Sequence, residues 1–115
     1  MKQGEIYLVN FGKKYNSEFG KVRPAVIIQN DVANRNIDKV DFKSITIAPL
    51  TTQLFEGNIR VRIEARDKLK KTSDVCVNEL CTLDIKRFDF SMCLTQLTNE
   101  EMMQLKQKLK VHLSL

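Results

Sequence analysis

The chain's 115 residues are 43% hydrophobic and 29% charged with a formal net charge of +5. That length supports one domain with a modest core, spanning 1–115, and the charge favours a polyanionic partner without requiring one. No apolar run approaches the roughly 20 residues needed to cross a bilayer, which argues against a membrane protein. The three cysteines, Cys76, Cys81 and Cys93, are odd in number and lack a CxxC pair, which argues against a disulfide scaffold or a zinc site.

Met1-Lys2-Gln3-Gly4-Glu5 carries one cation and then enters a strand pattern; it does not read as a signal peptide, and a cytoplasmic location is expected. Gly4 precedes Ile6-Tyr7-Leu8-Val9-Asn10-Phe11, a β-rich run suited to burial on both faces. From Gly12 to Gly20 follows a polar, glycine-bounded loop holding Tyr15, Ser17, Glu18 and Phe19, the kind of segment that carries binding residues. Gly20-Lys21-Val22-Arg23-Pro24 runs into a second strand beginning Ala25-Val26-Ile27-Ile28, with Pro24 expected at its opening or on a sheet edge because it lacks a backbone donor.

Asn30 to Phe42 reads as a connection with room for a helical turn. Ser44 to Ala48 forms a third strand with Ile45 and Ile47 on one face, closed by Pro49-Leu50-Thr51-Thr52-Gln53. The alternation at Ile59, Val61 and Ile63 predicts a fourth strand that turns Arg60, Arg62 and Glu64 outward. Val75, Val77 and Leu80 mark a fifth. Thr98 and Glu101 form a T-x-x-E capping box, Leu97 is placed to staple onto Met102, and Met102, Leu105, Leu109 and Leu113 recur at helical spacing over about four turns. Short strands, long loops and one terminal helix point to a mainly β (α+β) fold, a small strongly bent sheet or partly open barrel.

Polar residues at strand ends carry the chemistry. The Arg23 guanidinium is a planar fork of donors matched to phosphate oxygens; the competing reading is a strand-end ion pair. A hydroxyl at Thr51 or Thr52 can bond a phosphate oxygen or position a 2′-hydroxyl, and each threonine is equally explained by β-propensity or turn capping. Ser17, Glu18, Lys21 and Gln53 are candidate substrate contacts whose plain alternative is a solvated loop position. The single histidine, His112, rules out a two-histidine ribonuclease site and reads as a surface residue. Arg60, Arg62, Arg66, Lys68, Lys70 and Lys71 could line one face that tracks a nucleic-acid backbone, or serve solubility. Tyr7, Tyr15, Phe19 and Phe55 are candidates for base stacking, Tyr7 reading better as core. The carboxylates show no metal-ligand spacing, so metal-free chemistry without a cofactor is expected.

Gly4-Glu5-Ile6-Tyr7, the stretch from Gly20 to Asp31, Pro49-Leu50-Thr51, and Leu80-Cys81-Thr82-Leu83-Asp84-Ile85-Lys86-Arg87-Phe88 together resemble, in order, the MazF/PemK family of toxin endoribonucleases. The resemblance implies an SH3-like, CcdB/MazF-type barrel of about five to seven strands with a C-terminal helix, assembled as a homodimer. It implies metal-independent, sequence-specific cleavage of single-stranded RNA, usually mRNA. It also implies a cognate antitoxin of the MazE/PemI type whose acidic tail fills the RNA groove. Carried onto this chain, the catalytic arginine matches Arg23, the catalytic threonine Thr51 and an assisting loop serine Ser17, with Gln53 as a polar neighbour of the threonine. Cys81 stands where the family usually has a basic residue. Two other readings share the fold: a CcdB-like toxin that inhibits gyrase by protein contact, and an RNA-binding barrel without catalysis.

Overall fold

The computed structural model describes residues 1–12, 21–57 and 59–115. The loop candidates Ser17 and Glu18, with Tyr15 and Phe19, lie outside the described residues. Among the described residues the order is β1 (Glu5–Asn10), β2 (Val22–Ile27), α1 (Asp31–Arg35), β3 (Ser44–Thr51), β4 (Arg60–Ile63), β5 (Ser73–Cys76), β6 (Cys81–Asp84), β7 (Phe88–Asp89), β8 (Thr95–Gln96) and α2 (Asn99–Leu113). Single 3-10 turns at Ile37–Lys39, Val77–Glu79 and Ile85–Arg87 link them.

The strands form one eight-stranded sheet in the order β4-β5-β3-β2-β1-β7. β6 adds to β3 and β8 adds to β1 off that path, and every pairing is antiparallel. β3 does most to bend it. Ser44 to Ile47 pair with β6, Ile47 to Pro49 pair with β2, and Leu50 and Thr51 pair with β5. The sheet is therefore strongly curved but not a closed barrel.

Each face of the sheet carries its own apolar cluster. Ile6, Val26, Ala48, Leu50, Val61, Ile63 and Val75 are buried together with Leu69, Leu94, Leu97 and Leu105 on the side covered by α2. Tyr7, Val9, Ala25, Ile27, Ile45, Ile47 and Phe88 are buried on the other. The two-sided run in β1 arises because Ile6 faces one cluster while Tyr7 and Val9 face the other, as strand alternation requires.

Pro24 is the third residue of β2 rather than its opening residue. It pairs with Leu8 of β1, while the ladder to β3 covers only Ala25 to Ile27, so the missing donor falls where β2 has no partner on that side. The Asn30–Phe42 connection holds α1, capped by the Asn30 side chain accepting from the Ala33 N–H. The fifth strand ends at Cys76. Val77 is buried in a 3-10 turn, so its burial reflects packing and not strand pairing.

α2 is anchored at its first turn. The Thr98 hydroxyl accepts from the Glu101 N–H at 3.1 Å, and the Glu101 carboxylate accepts from the Thr98 N–H at 2.9 Å, completing the capping box. Leu97 and Met102 both pack over Gly4, whose φ of +90° suits a residue without Cβ; a Cβ there would sit 3.1 Å from the Met102 sulfur. Leu105 is fully buried and Met102 and Leu109 partly so, but Leu113, predicted on the same stripe, is 47% exposed because the helix outruns the sheet.

The same Glu101 also accepts two bonds from Arg66, at 2.9 and 2.6 Å, and Arg66 donates further to the Gln96 carbonyl and the Thr95 hydroxyl. These Arg66 bonds hold the Glu101 carboxyl below its usual range despite partial burial. A depressed carboxylate stabilises the fold above its unfolded value of about 4.3 and loses that contribution as pH falls through the lower folded value. Glu101→Gln is expected to cost about 2 kcal/mol at neutral pH, read from the urea midpoint, with the gap to the unsubstituted chain closing in acid.

Candidate active site

Arg23 lies on β2 opposite Val9 of β1. Between β2 and β3 the paired residues are Ala25 with Pro49, Val26 with Ala48 and Ile27 with Ile47. Beyond the end of that ladder, strand alternation turns Arg23 and Thr51 to the same face of the sheet. Thr51 in turn pairs with Asp74 of β5, and Asp74 with Arg62 of β4. Directly opposed residues share a face, so Val9 with Arg23, and Thr51 with Asp74 and Arg62, all lie on the side of the sheet away from α2. Arg60 and Cys76, paired with each other, lie one row over. Burial pushes the Cys76 thiol up, with the charges of Glu79 and Asp74 adding to the rise and those of Arg60 and Arg23 opposing it.

Thr51 is 7% exposed, and its hydroxyl oxygen accepts from the Gln53 N–H at 3.2 Å. That bond uses an oxygen lone pair and leaves the O–H to donate elsewhere, as a phosphate oxygen would require. The segment after Thr51 is fixed from below. Asp74 is 1% exposed; one carboxylate oxygen accepts from the Phe55 N–H at 2.9 Å and the other from Arg62 at 3.0 Å, with Arg60 at 3.7 Å. Arg60 also donates to the Gln53 carbonyl at 2.8 Å and lies 4.8 Å from the centre of the Phe55 ring. Burial raises the Asp74 carboxyl, but the Arg62 hydrogen bond, the Phe55 N–H and the charges of Arg62 and Arg60 outweigh it and hold the group below the ordinary carboxylate range.

The other candidates are distributed around this pair. Lys21 is exposed with a left-handed φ of +62°, and its backbone closes the β1–β2 loop by donating to the Gly12 carbonyl at 2.6 Å and accepting from the Phe11 N–H at 2.8 Å. Gln53 is tied to the site through its backbone, and its side chain is exposed. Thr52 lines a cavity of about 370 Å³ with Leu8, Pro24, Leu69, Met92 and Leu94, on the α2 side of the sheet, so the structure does not bring it to Arg23.

The six basic residues expected along one face separate into three sets. Arg60 and Arg62, expected outward, turn to Asp74; Arg66 is engaged with Glu101; Lys68, Lys70 and Lys71 border the Thr52 cavity. Tyr7 is 6% exposed and belongs to the core, and His112 is exposed. Sequence reasoning missed Asp74. An acidic residue just before the Val75-Cys76-Val77 run, in the segment that follows the alternating arginines, was the available signal.

A second cavity, about 320 Å³, is lined by Phe11, Pro49, Asn78, Glu79, Leu80, Cys81 and Leu83, and Pro49 shares its face with Thr51. Cys81 therefore puts a small neutral group into this cavity. Burial, then the nearby Glu79 charge, push its thiol up, so it adds no charge at neutral pH.

Residues 2–113 match the family model described as PemK-like, MazF-like toxin of type II toxin-antitoxin system. A relative called endoribonuclease MazF, from Staphylococcus saprophyticus, is 29% identical over 118 residues, covering 100% of this chain and 92% of its own. Among solved structures, MazF from Deinococcus radiodurans superimposes with a TM-score of 0.77 at 17% identity, covering 100% of this chain and 97% of that one. An endoribonuclease in complex with its cognate antitoxin, from Mycobacterial species, gives 0.76 at 20% identity, covering 100% and 96%. These two likenesses speak for the fold, and the family model speaks for descent: the chain belongs to the PemK-like, MazF-like toxins of type II toxin–antitoxin systems.

Proposed function

We propose that this protein is a metal-independent endoribonuclease, the toxin of a type II toxin–antitoxin pair, cutting single-stranded RNA such as mRNA at short recognition sequences in the cytoplasm. The reading is supported by strand alternation that turns Arg23 of β2 and Thr51 of β3 to the same face of the sheet, away from α2, with the Thr51 O–H left able to donate.

In this mechanism the ribose 2′-oxygen attacks the adjacent phosphorus, the bond from phosphorus to the 5′-oxygen breaks, and the 2′-hydroxyl proton ends on that leaving oxygen. The products are a 2′,3′-cyclic phosphate and a 5′-hydroxyl. Arg23 binds the scissile phosphate and stabilises the charge that accumulates on the phosphorane oxygens, a role suited to a preorganised bidentate donor. Thr51 donates to a phosphate oxygen or orients the 2′-hydroxyl. Ser17 and Glu18 of the preceding loop, with Lys21 and the Gln53 side chain, contribute substrate contacts. The toxin acts as a homodimer, and a cognate antitoxin with an acidic tail silences it by occupying the RNA groove.

Incubating the purified protein with a long single-stranded RNA in EDTA tests the reading. Discrete fragments are expected, with 5′ ends that accept phosphate directly from a polynucleotide kinase. Intact RNA, or cleavage that needs added metal and leaves 5′-phosphates, would overturn it.

A further inference from the structure

Phe55 exposes 59% of its surface on the segment that follows Thr51. Exposed apolar side chains occur elsewhere, Phe42 among them, and singly they need no explanation. Phe55 is set apart by how firmly it is held. Its backbone N–H is bonded to the buried Asp74 carboxylate, and its ring has the Arg60 guanidinium 4.8 Å from its centre. Arg60 is itself fixed by the Gln53 carbonyl and by Asp74, and the Gln53 N–H is bonded to the Thr51 hydroxyl. A continuous chain of polar contacts thus ties the Phe55 ring to the hydroxyl of the candidate active site. Phe55, Glu56, Gly57, Arg60, Arg62 and Asp74 line an open pocket of about 240 Å³.

Charge indicates what would fill it. The two arginines there are met by two carboxylates, Asp74 and Glu56, so the cavity is formally neutral and makes a poor phosphate site. It offers a preorganised aromatic surface with hydrogen-bond donors and acceptors around it, which is what a flat, neutral, heteroaromatic ring requires. Its volume lies below the roughly 300–1,000 Å³ of pockets for larger ligands, a size for one ring system.

We propose that Phe55 and Arg60, held in place by Asp74, form a subsite that stacks one nucleobase of the single-stranded RNA next to the Arg23–Thr51 pair. This rests on the endoribonuclease reading and adds to it a residue that grips the strand beside the cut. Stacking is tolerant of sequence, so the subsite anchors the strand and leaves discrimination among bases to other contacts.

The test uses a short fluorescein-labelled 2′-O-methyl RNA of mixed sequence, which lacks the attacking hydroxyl, alongside cleavage kinetics on a long transcript. Phe55→Ala is expected to weaken binding about 5- to 100-fold, the loss of one base–aromatic stack, with the cleavage defect carried by KM rather than kcat. Phe55→Trp should restore binding and Phe55→Leu should not, because the leucine keeps apolar bulk without an aromatic face. Equal binding and KM for Phe55→Ala and the unsubstituted protein would overturn the subsite while leaving the nuclease reading standing. Recovery by leucine as fully as by tryptophan would overturn it as well. An unsubstituted protein that neither binds nor cuts RNA would overturn both.

Discussion

Arg23→Ala is expected to reduce RNA cleavage by about three orders of magnitude or more while the protein stays folded. Removal of a single preorganised donor from a developing oxyanion typically costs about 10²- to 10³-fold, and Arg23 would supply two donors and a full charge to the same phosphate. The fold should tolerate the change. Arg23 is only partly buried, and the apolar clusters are built from its neighbours Val9, Ala25 and Ile27. Arg23→Lys should fall between the two, since an ammonium keeps the charge and loses the planar fork. Thr51→Val, which removes the hydroxyl at nearly constant shape, should also impair cleavage. The double variant should be little worse than Arg23→Ala alone if the two act on one linkage. Single-turnover cleavage with thermal melts of each variant reads both quantities; near-full activity in Arg23→Ala would remove the arginine from the mechanism.

Asp74→Asn is expected to have the largest combined effect on stability and activity. The carboxylate is almost wholly buried, accepts from Phe55 and Arg62 with its two oxygens, and faces Arg60 as well. An asparagine turns one acceptor into a donor, so either the Phe55 N–H or Arg62 meets another donor, and two arginines lose their counter-charge. Removing one partner of a buried ion pair typically costs about 3–5 kcal/mol; Arg62 keeps part of its surface in water, so about 2–3 kcal/mol is expected. Cleavage should fall too, because the segment bonded to Thr51 loses its anchor.

The pH dependence has a definite sign. The folded Asp74 carboxyl lies below its ordinary range, so its contribution is present above the unfolded value of about 3.9 and is lost as pH falls through the lower folded one. Urea unfolding should therefore show a wide gap between Asp74→Asn and the unsubstituted protein near neutrality, narrowing in acid. A gap that is constant with pH would mean that the asparagine acts through shape alone.

What could be read from residues alone follows from how far each element reports itself locally. β3, β4 and α2 carry clear periodicities, β1 shows as a continuous apolar run, and the T-x-x-E box places the start of α2 at the observed residue. β7 and β8 hold two residues each, too few for any period, and β6 alternates only between half-buried and exposed positions because β3 covers one edge. The outward placement of Arg60 and Arg62 follows alternation correctly, yet the face they turn to also carries the buried Asp74, which draws both into ion pairs while Arg62 keeps part of its surface in water. The chain leaves β3 at Thr51 and carries Thr52 to the cavity beside Pro24 and Leu69, a separation that composition near the strand end obscured. That Arg23 and Thr51 share a sheet face depends on a β2–β3 register that neither segment encodes by itself.

That register leaves no room for a slip. Within β3, Ala48 and Leu50 sit in the apolar interior beneath the helix, while Pro49 and Thr51 face the opposite way. Sliding the strand by one residue would present a leucine where the hydroxyl belongs and force the threonine into oil. An insertion or deletion inside β3 would therefore abolish folding and chemistry in one event, and a chain of this kind should accumulate changes of length in its connections and almost none along its central strand.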